Sequence, residues 1–125
     1  MEFKEKQAIY LQIAEYVCEQ ILLKKWLPGN KILSIRDLAV LMEVTPNTIQ
    51  RTYDFLQQRN IIFNKRGVGY FVEDSGMERV LAFKRELFLE NELPTTFRNM
   101  YLLDINADEI KKRFEEFIEQ NFKKI

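Results

Sequence analysis

The sequence predicts a mainly helical chain with one small β-hairpin: an N-terminal winged helix-turn-helix, then a short all-helical dimerisation tail. Three observations carry this. Apolar residues recur at helical spacing through most of the chain, and one such stretch, after Thr45-Pro46, sorts into an apolar and a polar face. Ile61-Ile62-Phe63 and Tyr70-Phe71-Val72 flank a turn from Asn64 to Gly69 that holds the basic glycine run Lys65-Arg66-Gly67-Val68-Gly69, as two short strands would. After the polar break Glu73-Asp74-Ser75-Gly76 the pattern is helical alone.

The first helix is expected over residues 8–25. Ile9, Ile13, Val17 and Ile21 recur every four residues, and Tyr16 and Leu22 widen the stripe. Leu27-Pro28-Gly29-Asn30 ends it in a turn. Lys31-Ile32-Leu33 reads as a short extended piece. Ser34-x-x-Asp37 approximates a capping box and opens a helix through Ile35, Leu38, Ala39 and Met42. Glu43-Val44 turns the chain into the next helix, where Thr45 can cap and Pro46 suits the first helical position.

That helix is the informative one. Ile49, Tyr53 and Leu56 form an inward stripe, so Tyr53 belongs to the core. Asn47, Gln50, Arg51 and Asp54 share another face. Amides and a guanidinium there are the groups that pair with base edges and phosphates in a DNA major groove. The helix should end near Arg59-Asn60, with Asn60 as the C-terminal cap.

The polar break divides the chain into a winged helix-turn-helix over residues 1–74 and a helical region over 75–125. In the tail, Met77, Val80, Leu81, Leu87 and Phe88 share a face, and Leu93-Pro94-Thr95 interrupts the helix. Phe97, Met100 and Tyr101 mark a short third piece. A capped start at Asn106 or Asp108 leads into Ile110, Phe114, Phe117, Ile118 and Phe122. Six of the ten phenylalanines lie after residue 76, more than so short a helical segment can bury by itself. A face that apolar marks an interface, and the expectation is a homodimer through the C-terminal helices.

Composition narrows the chemistry. Net charge is zero, but residues 31–72 hold six basic and three acidic side chains, and residues 73–125 nine basic and twelve acidic. DNA binding needs a local positive face rather than a basic protein. There is no histidine and only one cysteine, Cys18, so neither a zinc site nor an internal disulfide is expected, and Cys18 reads as a small residue on a helix rather than a redox sensor. Without histidine, a glycine-rich phosphate loop or clustered carboxylates, no enzyme and no cofactor is expected. No stretch is apolar enough to span a membrane, and Met1–Lys6 precedes no signal-peptide core, which makes a cytoplasmic protein the expectation.

The ordered set Ile9-Tyr10-x-Gln12-Ile13, Leu27-Pro28-Gly29, Leu33-Ser34-x-Arg36-x-Leu38-Ala39, Val44-Thr45-Pro46-Asn47-Thr48-Ile49-Gln50-Arg51 and Lys65-x-Gly67-x-Gly69-Tyr70-Phe71-Val72 resembles the N-terminal domain of GntR-type bacterial transcription regulators. The match covers about residues 8–72 in the right order and spacing, and the short tail resembles the YtrA-like branch. The resemblance implies a regulator, a repressor, that binds double-stranded DNA at a palindromic operator as a homodimer. Arg36 lies where the family has a DNA-contacting arginine. Many relatives carry a base-reading arginine at the place of Pro46, so readout here shifts to Asn47, Gln50 and Arg51.

The expected DNA-contacting residues are Arg36, Thr45, Asn47, Thr48, Gln50 and Arg51, with Lys65, Arg66 and Gly67 at the wing. The alternative for Arg51 is an ion pair with Asp54 or Asp37. Arg59 is a helix-end cation, and Lys111-Lys112-Arg113 a solvated helix face. The rival function is a winged helix that docks proteins without a specific DNA target. Whether a small-molecule effector acts stays open.

Overall fold

The computed structural model describes Phe3 and residues 7–122. Apart from Phe3, the opening stretch read for a signal sequence lies outside the described residues. The order is α1 (Ile9–Leu22), α2 (Ile35–Met42), α3 (Pro46–Gln58), β1 (Ile62–Lys65), β2 (Gly69–Val72) and α4 (Gly76–Leu87). A π-helical segment (Phe88–Glu92), α5 (Leu93–Leu102) and α6 (Ala107–Asn121) follow. The chain is thus mainly helical with one antiparallel hairpin, as the sequence predicts. No helix of the described residues is long and apolar enough to cross a membrane.

The contacts divide the chain into two compact units, Met1–Arg85 and Glu86–Ile125. This packing division lies inside α4 rather than at the polar break after Asp74. Val80 and Phe83 of α4 are buried in the first unit, so its core draws on the helix beyond the break.

In the first unit α1 and α2 both pack on α3. Ile13, Val17 and Ile21 of α1 are buried as expected, but Ile9 is exposed, and Gln12, Ala14 and Cys18 complete the buried face. Gln12 tolerates burial because its amide donates to the Gln7 carbonyl (2.7 Å). Burial pushes the Cys18 thiol up to about 12, which keeps it neutral. From α2 come Leu38, Ala39 and Met42, and from α3 Ile49, Tyr53 and Leu56. Full burial of each such aliphatic side chain contributes about 1.5–3 kcal/mol.

Local chemistry places the boundaries. Leu27-Pro28-Gly29-Asn30 is a turn closed from the Asn30 N–H to the Leu27 carbonyl (2.9 Å), with Gly29 at φ 81°. Residues 29–32 then run along β2, where the Ile32 N–H donates to the Tyr70 carbonyl (2.9 Å) and Lys31 bridges Phe71. Ser34 caps α2, its hydroxyl accepting from the Asp37 N–H (3.0 Å). Asn60 ends α3 at φ 60°, with Ile61 N–H to Leu56 carbonyl (3.0 Å) and Asn60 N–H to Gln57 carbonyl (3.0 Å), the paired bonds of a Schellman motif.

The hairpin is offset from its expected place. Ile61 finishes the helix cap, so β1 starts at Ile62 and reaches Lys65, which pairs with Gly69. Phe63 and Phe71 stack across the strands at 5.5 Å. The turn shrinks to residues 66–68. Val68 N–H donates to the Lys65 carbonyl (2.9 Å), and Gly67 takes φ 77° at the third turn position.

In the second unit Pro94 does not break the helix. A proline ring clashes with the carbonyl four residues back and offers no N–H. The wider π segment Phe88–Glu92 lies over that turn, and the backbone stays helical at Leu87 and Leu93 on either side. Asn106 caps α6, accepting from the Glu109 N–H (2.9 Å). None of the residues 86–122 is buried, and Phe88, Phe97, Tyr101, Phe114, Phe117 and Phe122 are all exposed.

Candidate nucleic-acid interface

The polar face of α3 is held outward by its opposite side. Ile49, Tyr53 and Leu56 are fully buried, which leaves Asn47, Gln50, Arg51 and Asp54 exposed together. Two buried polar anchors fix how α3 sits. The Tyr53 hydroxyl donates to the Leu33 carbonyl (2.6 Å), and burial holds its phenol well above the ordinary tyrosine range. The Thr52 hydroxyl meets the Tyr10 carbonyl at 2.8 Å and the Thr48 carbonyl at 3.1 Å, joining α1 to α3.

Thr45 occupies the N-cap position with extended backbone, but its side chain makes no cap hydrogen bond. Its hydroxyl pairs instead with that of Thr48 (3.1 Å). The expected side-chain cap is therefore absent, because another hydroxyl one turn on competes for the same oxygen. Pro46 stands at the start of α3 as expected.

Side chains of the exposed face contact one another and α1. Gln50 donates from Nε2 to Asp54 Oδ1 (2.9 Å), one turn along. Its Oε1 and second N–H remain, the acceptor and donor that an adenine edge requires. Arg51 lies over the Tyr10 ring, 4.2 Å from ring centre to guanidinium carbon, in place of the ion pair considered for it. Asn47 is exposed on the same face.

Arg36 projects from the first turn of α2 and is exposed. Lys65, Arg66 and Gly67 are exposed at the hairpin tip. Arg59 packs over Phe55 (4.8 Å) and Phe83 (4.5 Å), which makes it a packing residue. In α6, Lys111, Lys112 and Arg113 are exposed, and Arg113 pairs with Glu109 (3.2 Å).

Three further participants stand outside the set expected from the sequence. Tyr10 sits under Arg51 across 41 residues of chain, a contact no periodicity encodes. Thr52 was detectable as a hydroxyl on an otherwise apolar face, but its partner was not. Lys31 lays its stem over Gly69: a β-carbon there would come within 2.8 Å of Lys31 Cε. The flexible lysine stem could shift to admit a β-carbon, but Gly69 also takes φ 144°, which L side chains rarely adopt, and Lys31 adds a cation at the base of the wing. Among the described residues, no group of three His, Cys, Asp or Glu side chains is placed to hold a metal ion.

A two-faced helix after a tight turn, followed by a basic hairpin, is the arrangement of a winged helix-turn-helix. The family model of bacterial regulatory proteins, gntR family, matches residues 9–72, the span from α1 to the end of β2. The chain belongs to the gntR family. Like its relatives, this gntR-family chain is a DNA-binding transcriptional regulator. It is 34% identical over 118 residues to the uncharacterised HTH-type transcriptional regulator YhcF of Bacillus subtilis (strain 168), covering 94% of this chain and 96% of that one. It is 30% identical over 82 residues to the HTH-type transcriptional repressor YtrA of the same strain, covering 66% of this chain and 63% of YtrA. The crystal structure of a GntR-family transcriptional regulator from Bacteroides thetaiotaomicron superposes with a TM-score of 0.77 at 40% identity, over 90% of this chain and 98% of that one. Similarity extending through the tail places this gntR-family chain with the short, YtrA-like members.

Proposed function

We propose that this gntR-family regulator is a repressor that binds a palindromic operator as a homodimer. The observation that carries the reading is the exposed face of α3. Asn47, Gln50 and Arg51 stand together there, backed by a fully buried stripe that fixes the helix. In this reading Asn47, Gln50 and Arg51 read base edges in the major groove, and Thr45 and Thr48 at the helix start meet the phosphate backbone. Arg36 contacts the backbone from α2. Lys65, Arg66 and Gly67 approach the flanking backbone or minor groove, the glycine allowing a close approach. Two such units would engage half-sites about one helical turn apart.

The functional division places DNA binding in residues 1–74 and dimerisation in 75–125, with α4 serving both. The exposed Phe97, Phe114, Phe117 and Phe122 support dimerisation, since an apolar surface of that kind is normally covered. The name of YtrA, a repressor, supports the sign of regulation.

Selection from random-sequence DNA by the full chain, followed by sedimentation of the complex, tests the reading. An enriched inverted repeat bound by two copies is expected. Enrichment of nothing, or of a single half-site bound by one copy, overturns it. A chain ended after Arg85 should sediment as a soluble monomer. A cut at Gly76 is unsuited to this, because it removes the buried Val80 and Phe83.

A further inference from the structure

We propose that Tyr10 is a positioning residue for DNA readout: it holds the Arg51 guanidinium in the pose that discriminates bases. The inference rests on the reading of Arg51 as a base contact. Three neighbouring residues of α3 converge on this one residue of α1. Arg51 stacks over the Tyr10 ring at 4.2 Å. Thr52 donates to the Tyr10 backbone carbonyl at 2.8 Å and is itself fully buried. Phe55 meets the Tyr10 ring edge-on, centroids 6.3 Å apart. The backbone of Tyr10 is therefore pinned, and its ring is braced on one side while its face receives the guanidinium.

The brace extends further. Phe55 packs edge-on against Phe83 of α4 (5.5 Å), and Arg59 lies over both rings. The platform under Arg51 is thus tied into the core of the first unit rather than left as a surface ring. An arginine in open solvent samples many rotamers and loses that freedom on binding. A planar guanidinium already stacked on a fixed ring loses less, and its edge N–H groups remain free for a base. Stacking uses the face of the cation, whereas bidentate pairing with a guanine edge uses its rim, so both occur at once. Gln50 engages Asp54 Oδ1, and the contact made by the Arg51 guanidinium is with the Tyr10 ring.

The test uses the full chain and a duplex enriched from random DNA by the wild type, with base-substituted versions of that duplex. Wild type, Tyr10→Leu, Tyr10→Phe, Arg51→Ala and the Tyr10→Leu/Arg51→Ala double variant are compared at one salt concentration, each checked for an unchanged thermal transition. Tyr10→Leu should cut the ratio of enriched to substituted binding by about three- to tenfold, the scale of one cation–π contact plus lost pre-ordering. Tyr10→Phe, which keeps the ring, should stay near wild type, and the double variant should discriminate no worse than Arg51→Ala. If Tyr10→Leu is destabilised, Tyr10→Met and Tyr10→Phe carry the comparison: only the ring-retaining one should discriminate. Full discrimination by a folded Tyr10 variant lacking the ring, or additive losses in the double variant, overturns the proposal. So does an Arg51→Ala protein that discriminates normally, which leaves DNA binding itself intact. A wild type that enriches no sequence fails earlier, on the reading beneath.

Discussion

The two compact units use the same kinds of residue to different ends. In the first, Ile13, Val17, Leu38, Ile49, Tyr53, Leu56, Ile61, Val72 and Val80 have no exposed surface at all. In the second, Tyr101 is 85% exposed, Phe122 70%, Leu103 68% and Phe114 63%. Both have capped helices: Ser34 caps α2 and Asn106 caps α6. Local signals therefore form helices equally well in both, but only the first encloses its apolar faces. Helix formation and core formation are separate achievements, and the second unit forms its helices while leaving its apolar faces exposed.

The largest expected effect breaks the first unit and spares the second. Leu56→Ala removes a fully buried side chain and should cost about 2–5 kcal/mol in urea unfolding of the chain ended after Arg85. Phe114→Ser should scarcely change the helix content of the full chain but shift its sedimentation toward monomer. A dimer of unchanged affinity would contradict the contrast.

Next comes the polar anchor of the first unit. Tyr53→Phe deletes the hydroxyl that donates to the Leu33 carbonyl and leaves that carbonyl unpaired, an expected loss of about 1–3 kcal/mol by thermal or urea unfolding. A smaller change runs the other way. Glu43 ends α2 at φ 58°, a backbone region that favours glycine, so Glu43→Gly should stabilise the first unit by about 0.5–1 kcal/mol.

A further effect is confined to alkaline pH and leaves stability at neutral pH untouched. The Cys18 thiol rises from 9.0 in the ordinary state to about 12 when buried. A raised folded value means the native chain keeps a proton that the unfolded chain releases. The stability linked to it is complete below pH 9 and declines as pH rises from 9 toward 12. Denaturant midpoints across that window should fall, and a thiol reagent at neutral pH should react with Cys18 only after unfolding.

What the sequence made legible was what neighbours decide. The Ser34 cap, the Asn60 stop, the Pro28-Gly29 turn and the Ile49-Tyr53-Leu56 stripe each depend on residues within two turns of each other. The misses have the opposite character. Lys24, Glu43 and Asp104 also take positive φ at helix ends without the glycine that would announce them. Pro94 reads as a break, yet a π segment absorbs it. Thr45 reads as a cap, yet Thr48 engages its hydroxyl. Tyr10 under Arg51 and Lys31 over Gly69 join residues dozens of positions apart, and only the packed fold brings them together.

Base reading by the outward face of α3 and backbone contact by the wing should separate in binding. Lys65→Ala at the wing should weaken all sequences alike and reduce the salt slope by about one. The direct measurement is competition between an enriched duplex and its base-substituted versions for wild type and Arg51→Ala, at matched salt. Arg51→Ala should lose about 1–3 kcal/mol of discrimination, confined to one position in each half-site. An Arg51→Ala protein with the wild-type preference at every position would contradict it.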